Sequence, residues 1–539
     1  MKAQCLPFTQ IPHTTRLFAD FLYGFSRVSS FYPRPPRYGE WLSQQAETIS
    51  YDAGRRQQVA AVLSRQNQAW GASEKTLANI AGFQSGALAA VTGQQVGLFG
   101  GPLFTVFKVL SAVRLAEEAS ARGIPTVPIL WMATADHDLA EVNHAFFSDT
   151  GGEVRRLAVP TEGTAGAPVG GIRFGEELRP IVEQVAALLG DTEAADWLRA
   201  AYSPGETFGS AFAKFYTKVF GALGVIALDP ADPELQALAN PIYSAAIERA
   251  PELTDSLLRR GRQLVISDYH EQVKVTPSST TLFALKNGAR TAIHQSRANG
   301  TSESFEIGGE RFSREQLLQR IAANPADFSP NALLRPVVQD SLLPTLAYVG
   351  GPAEVAYFAQ SAVLYESLLG RVTPILPRFS ATILDVKQAS LLERYGLTLP
   401  DIYAGPESLL RQIATHTLPP HVQDEIRMAQ QAIDQALVSV RATLERLDPT
   451  LTDAADRATR KMHYQLARLR QRAANAELRR NEILSRHAAF LSNTLYPENV
   501  PQERQLAGVQ FLARHGAELL PRLFETVQPD CLDHQLLFS

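Results

Sequence analysis

Apolar positions along this chain fall into three rhythms: short continuous runs, three-and-four spacing, and alternation around turn residues. The most ordered stretch runs from Ala87 to Asp138. Ala87–Thr92 is a short apolar run closed by a turn-prone Thr-Gly, which predicts a buried strand. Gly93-Gln94-Gln95-Val96-Gly97-Leu98-Phe99-Gly100-Gly101 follows as a glycine-rich loop. Pro102 suits a first helical position, where the missing N–H has no intrahelical acceptor anyway. Leu103, Phe107, Leu110 and Val113 recur at helical spacing, and Gly123 ends the helix. Val127–Thr134 is nearly all apolar, the pattern of a parallel strand covered on both faces. The sum is a βαβ unit whose loop lies at the carboxyl end of the sheet, where open α/β folds bind ligands.

The pattern extends this core to about residue 400. Residues 1–80 read as mostly helical, with a turn-rich break at Ser29–Pro36. Charged and Gly/Pro-rich connections followed by helical patterns mark an insertion at about 145–220. Val225–Asp229 is a further strand, and helix follows to about Arg262. A second insertion, about 265–320, carries Asn287-Gly288 and Gly308-Gly309 between alternating segments and predicts two hairpins. Thr345–Val349 then returns to the opening pattern. Gly350-Gly351-Pro352 starts a helix to about Leu369, as Gly100-Gly101-Pro102 does earlier, and Val372–Leu376 is the next strand.

From His421 the rhythm is purely helical. Val422, Ile426, Ala429, Ile433, Ala436, Val440, Leu444 and Leu447 are spaced mostly three and four apart. Asp448-Pro449 breaks the run, and Leu451 to Ala476 resume it. This predicts an antiparallel coiled-coil hairpin over 421–490. Arg468, Arg470, Arg472, Arg479, Arg480 and Arg486 make its second helix basic. A phosphate-facing surface and a solvated flank are the two readings, the flank being preferred. The segment 491–539 reads as helical and packs back on the core.

At 539 residues, with 45% hydrophobic and 20% charged residues, the chain needs more than one structural unit. A net charge of −4 gives no general attraction to nucleic acid. No segment supplies the roughly 20 apolar residues that span a bilayer, and the N-terminal stretch has no signal-peptide run, so a cytoplasmic protein without membrane or nucleic-acid partners is expected. The two cysteines, Cys5 and Cys531, sit near opposite ends, so no disulfide framework is expected.

Candidate chemistry collects around the two Gly-Gly-Pro devices. Gly93, Gly97, Gly100 and Gly101 would let the backbone approach an anion at a helix start, or would simply make a tight strand-to-helix connection. Thr105 and Lys108 share a helical face, and Lys108 lies about 9 Å along the axis at roughly 1.5 Å per residue. Gln94 and Gln95 add amide groups. The loop is neither a P-loop nor a dinucleotide fingerprint. Asp136, His137 and Asp138 follow the second strand, with Asp136 and Asp138 on one side and His137 on the other. They suit sugar hydroxyls or proton transfer, or else a strand end and helix cap. No second ligand cluster accompanies them, so no metal is expected. Glu354 is the third residue of its helix, where it either caps or binds. Arg335 and Gln339 sit among apolar residues, and Arg378 follows a strand; buried arginines need an anionic partner, internal or substrate.

The runs TGQQVGLFGGPLFTVFKVLSA, WMATADHDLAEVNHAFF, FSPNALLRPVVQDSLLPTLAYVGGPAEVAYF and PRFSAT, with Pro501-Gln502-Glu503-Arg504, together resemble the bacillithiol-biosynthesis cysteine-adding family across almost the whole chain. The resemblance implies an α/β fold: a Rossmann-like parallel-sheet core with connecting-peptide insertions and a long antiparallel coiled coil that forms a homodimer. It implies a ligase making a low-molecular-weight thiol, with L-cysteine joined to the amino group of glucosaminyl-malate and ATP activating the cysteine. The alternative is a non-catalytic nucleotide-binding scaffold that recruits a partner through its coiled coil.

Overall fold

Five strands build the central sheet of the computed structural model: β1 (Leu88–Gln94), β2 (Thr126–Met132), β3 (Ile226–Leu228), β4 (Thr345–Gly350) and β5 (Ile375–Pro377). Their spatial order is β5-β4-β1-β2-β3, and every pairing is parallel. The structure describes residues 2–39, 41–160, 165–298, 301–516, 518–526 and 531–538, and their side chains except those of 2, 3, 297, 298, 301–303, 479 and 480.

The chain forms two compact units. The first comprises Met1–Phe147, Arg155–Thr382 and Glu503–Leu537; the second comprises Ser148–Val154, Ile383–Gln502 and Phe538–Ser539. In the first, α1 (Phe104–Ala121) links β1 to β2 and α3 (Pro352–Leu369) links β4 to β5. A shorter helix, α2 (Arg335–Leu342), precedes β4. The two connections leave the adjacent strands β1 and β4 in opposite directions along the sheet. That pair is therefore the topological switch point, which leaves a crevice at the carboxyl ends. Ala90, Ala112, Leu115, Ala116, Leu346, Val349 and Leu376 pack as one buried cluster between the sheet and α1.

The expected βαβ unit is present, with one shift at its helix. α1 begins at Phe104, not Pro102, because Pro102 pairs with Ala507 and the Leu103 amide donates to the Leu506 carbonyl at 2.9 Å. The second device does start at its proline: Gly351 is the cap and Pro352 the first helical residue. Both expected hairpins form, turning at Asn287-Gly288 and Gly308-Gly309 within a five-stranded antiparallel sheet that Phe328–Pro330 completes. The ends of the chain depart from the helical reading. Lys2–Leu6 is a strand beside a strand at His534–Phe538, and the helices Gln502–Gln505, Gly508–His515 and Leu519–Thr526 come between.

In the second unit, α4 (Pro420–Leu447) and α5 (Thr452–Arg480) form the predicted hairpin around Asp448, whose side chain accepts from the Thr450 amide at 2.8 Å. Pairs at Arg441–Asp456 and Asp434–His463 fix the antiparallel register. α5 stops at Asn481 and a separate helix, Glu482–Leu495, follows. The side chains of Arg479 and Arg480 lie outside the described residues. No helix of the described residues is long and apolar enough to cross a membrane.

Candidate active site

A cavity of ≈ 570 Å³ opens at the switch point. Its wall includes Gly93, Gln94, Gln95, Lys108, Asp136, Arg335, Glu354 and Arg378 from the sequence-predicted set. Sequence reasoning gave no site role to Phe104, Glu141, Arg290, Tyr348, Tyr357 or Arg504, which also line it. Cations on the wall (Lys108, Arg290, Arg335, Arg378, Arg504) outnumber the carboxylates (Asp136, Glu141, Glu354).

Its floor is a closed polar network between β1 and β4. The Lys108 ammonium donates to the Gly93 carbonyl at 2.9 Å and to Gln94 Oε1 at 3.2 Å, and pairs with Glu354 Oε2 at 2.5 Å. That satisfies all three of its donors. Burial pulls the Lys108 pKa below its ordinary value, against the opposing pull of Glu354. Glu354 also accepts from the Gly351 amide at 2.7 Å and from the Tyr348 hydroxyl at 2.6 Å. It therefore caps α3 and lines the cavity at once. Gly93 makes this possible, since a Cβ there would lie 2.6 Å from the Tyr348 hydroxyl. Burial, reinforced by Glu354, holds that hydroxyl protonated far above neutral pH.

The three arginines have different partners. Arg378 is committed internally: its guanidinium grips Glu503 at 2.9 and 2.6 Å, with both side chains 5% exposed. Of the two partners open to it, internal or substrate, the structure gives Arg378 the internal one. Burial works to protonate Glu503, and Arg378 outweighs it. Arg335 donates to Gln339 Oε1 at 2.9 Å and to the Tyr357 hydroxyl at 3.0 Å, and lies 5.2 Å from the Tyr348 ring. Among the described residues no carboxylate pairs with it. Gln339 is fully buried and does not line the cavity; it orients Arg335 while bonding Asp340 at 2.9 Å. Arg504 makes neither a hydrogen bond nor an ion pair among the described residues. Its guanidinium lies 5.9 Å from the Phe104 ring, which also faces Arg378 and Lys108. Burial and the Arg378 charge lower its pKa. A cation so placed favours an anionic ligand.

Elsewhere on the wall, Gln95 Nε2 bridges Asp136 Oδ2 at 2.7 Å and Glu141 Oε2 at 2.9 Å. The Asp136–His137–Asp138 run is not an alternating strand, because β2 ends at Met132. Asp136 Oδ1 instead accepts from the His137 amide at 2.7 Å and turns the chain. Asp138 faces away and caps Leu139–Val142, accepting from the Glu141 amide at 3.3 Å. His137 does not line the cavity. Its Nδ1 lies 3.2 Å from Arg290 Nη1 and 3.8 Å from Asp136 Oδ1.

The glycine turn is structural, not an anion cradle. The Gly100 amide donates to the Tyr202 hydroxyl at 2.8 Å, and the Gly100 carbonyl accepts from Tyr216 at 2.6 Å. The Gly101 amide donates to the Leu98 carbonyl at 3.0 Å. Gly100 has φ +84°, and a Cβ there would meet Phe215 at 2.6 Å. Gly97, Gly100 and Gly101 are not on the cavity wall, and Thr105 is fully buried away from it. Among the described residues, no group of three or more His, Cys, Asp or Glu side chains could hold a metal ion.

Two family models match the chain end to end. Residues 1–379 match the N-terminal Rossmann-like domain of bacillithiol biosynthesis BshC, and 381–539 match its C-terminal coiled-coil domain. The chain belongs to the bacillithiol-biosynthesis BshC family. Among its BshC relatives, the protein of Koribacter versatilis named "Putative cysteine ligase BshC" is 45% identical over 537 residues, covering 100% of both chains. The BshC of Solibacter usitatus carries the same name and is 38% identical, again over 100% of both. A third, from Geobacillus thermodenitrificans, is 26% identical over 98% of both. The Rossmann-like and coiled-coil halves of the BshC models correspond to the parallel sheet and the helical hairpin seen here.

Proposed function

We propose that this protein is a ligase that joins the carboxylate of L-cysteine to the amino group of glucosaminyl-malate, the last step of bacillithiol synthesis. The observation that carries the reading is the pair of cavity arginines, Arg335 and Arg504, which have no carboxylate partner among the described residues. The same cavity also carries an acidic pair, Asp136 and Glu141, joined through Gln95. A substrate with carboxylates at one end and an amine and hydroxyls at the other fits that polarity. Arg504 and Arg335 bind the malate carboxylates, while Asp136 and Glu141, tied together by Gln95, accept from the amine and hydroxyls. Held there, the amine meets the cysteine carbonyl carbon as an intramolecular reactant, which lowers the barrier through orientation. Asp136 is the group placed to take the proton released as the C–N bond forms.

ATP would supply an activated cysteine carboxylate, whose acyl–oxygen bond to the activating phosphate group would break as the C–N bond forms. The Gly97–Gly101 turn does not fit its phosphates, because its three glycine amides are already engaged inside the protein. The dimer, through the exposed apolar positions of α4 and α5, and the cytoplasmic location belong to the same proposal.

The test is direct. Purified protein is mixed with cysteine and glucosaminyl-malate, with and without ATP, and product is followed by mass spectrometry. Amide product is expected. Arg504→Met should raise the KM for glucosaminyl-malate at least about tenfold, the loss of one charge-assisted contact. Absence of product with every nucleotide would favour a scaffold that recruits a partner.

A further inference from the structure

The chain contains two cysteines, and the fold brings them into contact. Cys5 Sγ and Cys531 Sγ are 3.4 Å apart, although 526 positions separate them. The contact is held from both sides. Cys5 lies in the strand Lys2–Leu6, which neighbours the strand beginning at His534. Tyr23 adds a bridge beyond each cysteine: its hydroxyl accepts from the Phe8 amide at 2.9 Å and donates to Asp533 Oδ1 at 2.7 Å. The two sulfurs are not bonded to each other. Cys5 is exposed and Cys531 half-buried.

We propose that Cys5 and Cys531 form a reversible disulfide that staples these two strands, set by thiol–disulfide exchange with a low-molecular-weight disulfide. The Cys5 thiol loses its proton to solvent and attacks one sulfur of the external disulfide. A mixed disulfide forms at Cys5, and one small thiolate leaves and is protonated. Cys531, likewise deprotonated, then attacks the Cys5 sulfur and expels the second small thiol. Two protein thiols are oxidised and one external disulfide is reduced to two thiols, so atoms and electrons balance. The contact distance makes the second step intramolecular, so the mixed disulfide should not accumulate. Closing the bond requires the sulfurs to approach from 3.4 Å to about 2.05 Å.

The first step is slow at neutral pH. Partial desolvation where Cys5 meets Cys531, with the Cys531 contact and the Asp533 charge adding to it, raises the Cys5 thiol pKa to about 11, and only the thiolate attacks. The staple therefore follows sustained oxidation rather than brief excursions. Its effect falls on the neighbouring strand. His534, three positions after Cys531, bonds Ser380 at 2.7 Å. Ser380 in turn donates to Glu503 at 2.9 Å, beneath Arg378.

The experiment uses the full chain and oxidised glutathione as the probe, at pH 7 and pH 9, followed by intact mass and thiol titration. The expected product has lost two hydrogens, has no titratable thiol, carries no adduct, and yields a cross-linked peptide pair containing Cys5 and Cys531. Its formation should quicken about a hundredfold over those two pH units, as the thiolate fraction rises tenfold per unit. Cys531→Ser should stop at a single adduct on Cys5. Amide exchange at Lys2–Leu6 and His534–Phe538 should slow about tenfold on oxidation and recover with dithiothreitol. Persistent free thiols at pH 9, stable adducts on the unmodified chain, or disulfides between copies would each overturn the proposal.

Discussion

At the scale of single residues, the site depends on side chains whose charges are either closed off or left open. Lys108, Glu354, Arg378 and Glu503 are closed off: each meets its opposite within the first unit. Arg335 and Arg504 are left open toward the cavity. Gly93→Ala would push a methyl into the Tyr348 hydroxyl, which leaves the floor network to break or the strand to shift. The expected cost is about 1–3 kcal/mol, read as a lowered denaturation midpoint and a reduced turnover. His534 gives a pH signature. It is fully buried between Ser380 and Thr382, and burial, aided by Arg378, lowers its pKa to about 4. Its folded pKa lies below its unfolded one, so the unfolded state binds the proton in between. Stability is therefore full above about pH 6.5 and is lost as pH falls toward 4, by roughly 3 kcal/mol for this one group. His534→Gln should flatten that portion of the stability–pH curve in urea titrations; an unchanged slope would refute the assignment.

At the scale of elements, the two βα connections show what a pattern reveals and what it hides. The strand–Gly-Gly-Pro–helix signal located both carboxyl ends of the switch point from local residues alone, because strand burial and helix starts are local properties. The role of Gly97–Gly101 was not legible, because Tyr202 and Tyr216, which take up its backbone groups, lie about a hundred residues downstream. Asp136–Asp138 was misread for a smaller reason: alternation holds only while the strand lasts, and β2 ends four residues earlier. The long helices were legible because their spacing is regular. Their outer positions carry a further expectation. Val440 is 46% and Leu469 56% exposed, and if they form the proposed dimer seam, Val440→Glu with Leu469→Glu should give monomers in sedimentation analysis. The helix content of the chain should not change.

At the scale of the whole molecule, the first unit is assembled from distant pieces. Glu503 and Arg504 belong to it, yet Ile383–Gln502 separates them in sequence from the strand that ends at Pro377. That separation is why Arg504 escaped a site assignment: nothing in Pro501-Gln502-Glu503-Arg504 states which wall it joins. Deleting residues 503–539 would remove the Arg378 partner and leave a buried guanidinium unpaired, at a cost of about 3–5 kcal/mol from that pair alone. The expected result is an aggregating chain, seen as loss of soluble monomer and dimer on size-exclusion chromatography.

The same arrangement sets an order of events during synthesis. Gly93 leaves the ribosome 411 residues ahead of Arg504, an interval of roughly 20 to 80 seconds at about 5–20 residues per second. Throughout it Arg378, once made, waits without its carboxylate, and the cavity lacks one wall. The cavity is thus complete only once the chain beyond the coiled coil has been delivered, and quality-control factors have that window in which to meet an unfinished core.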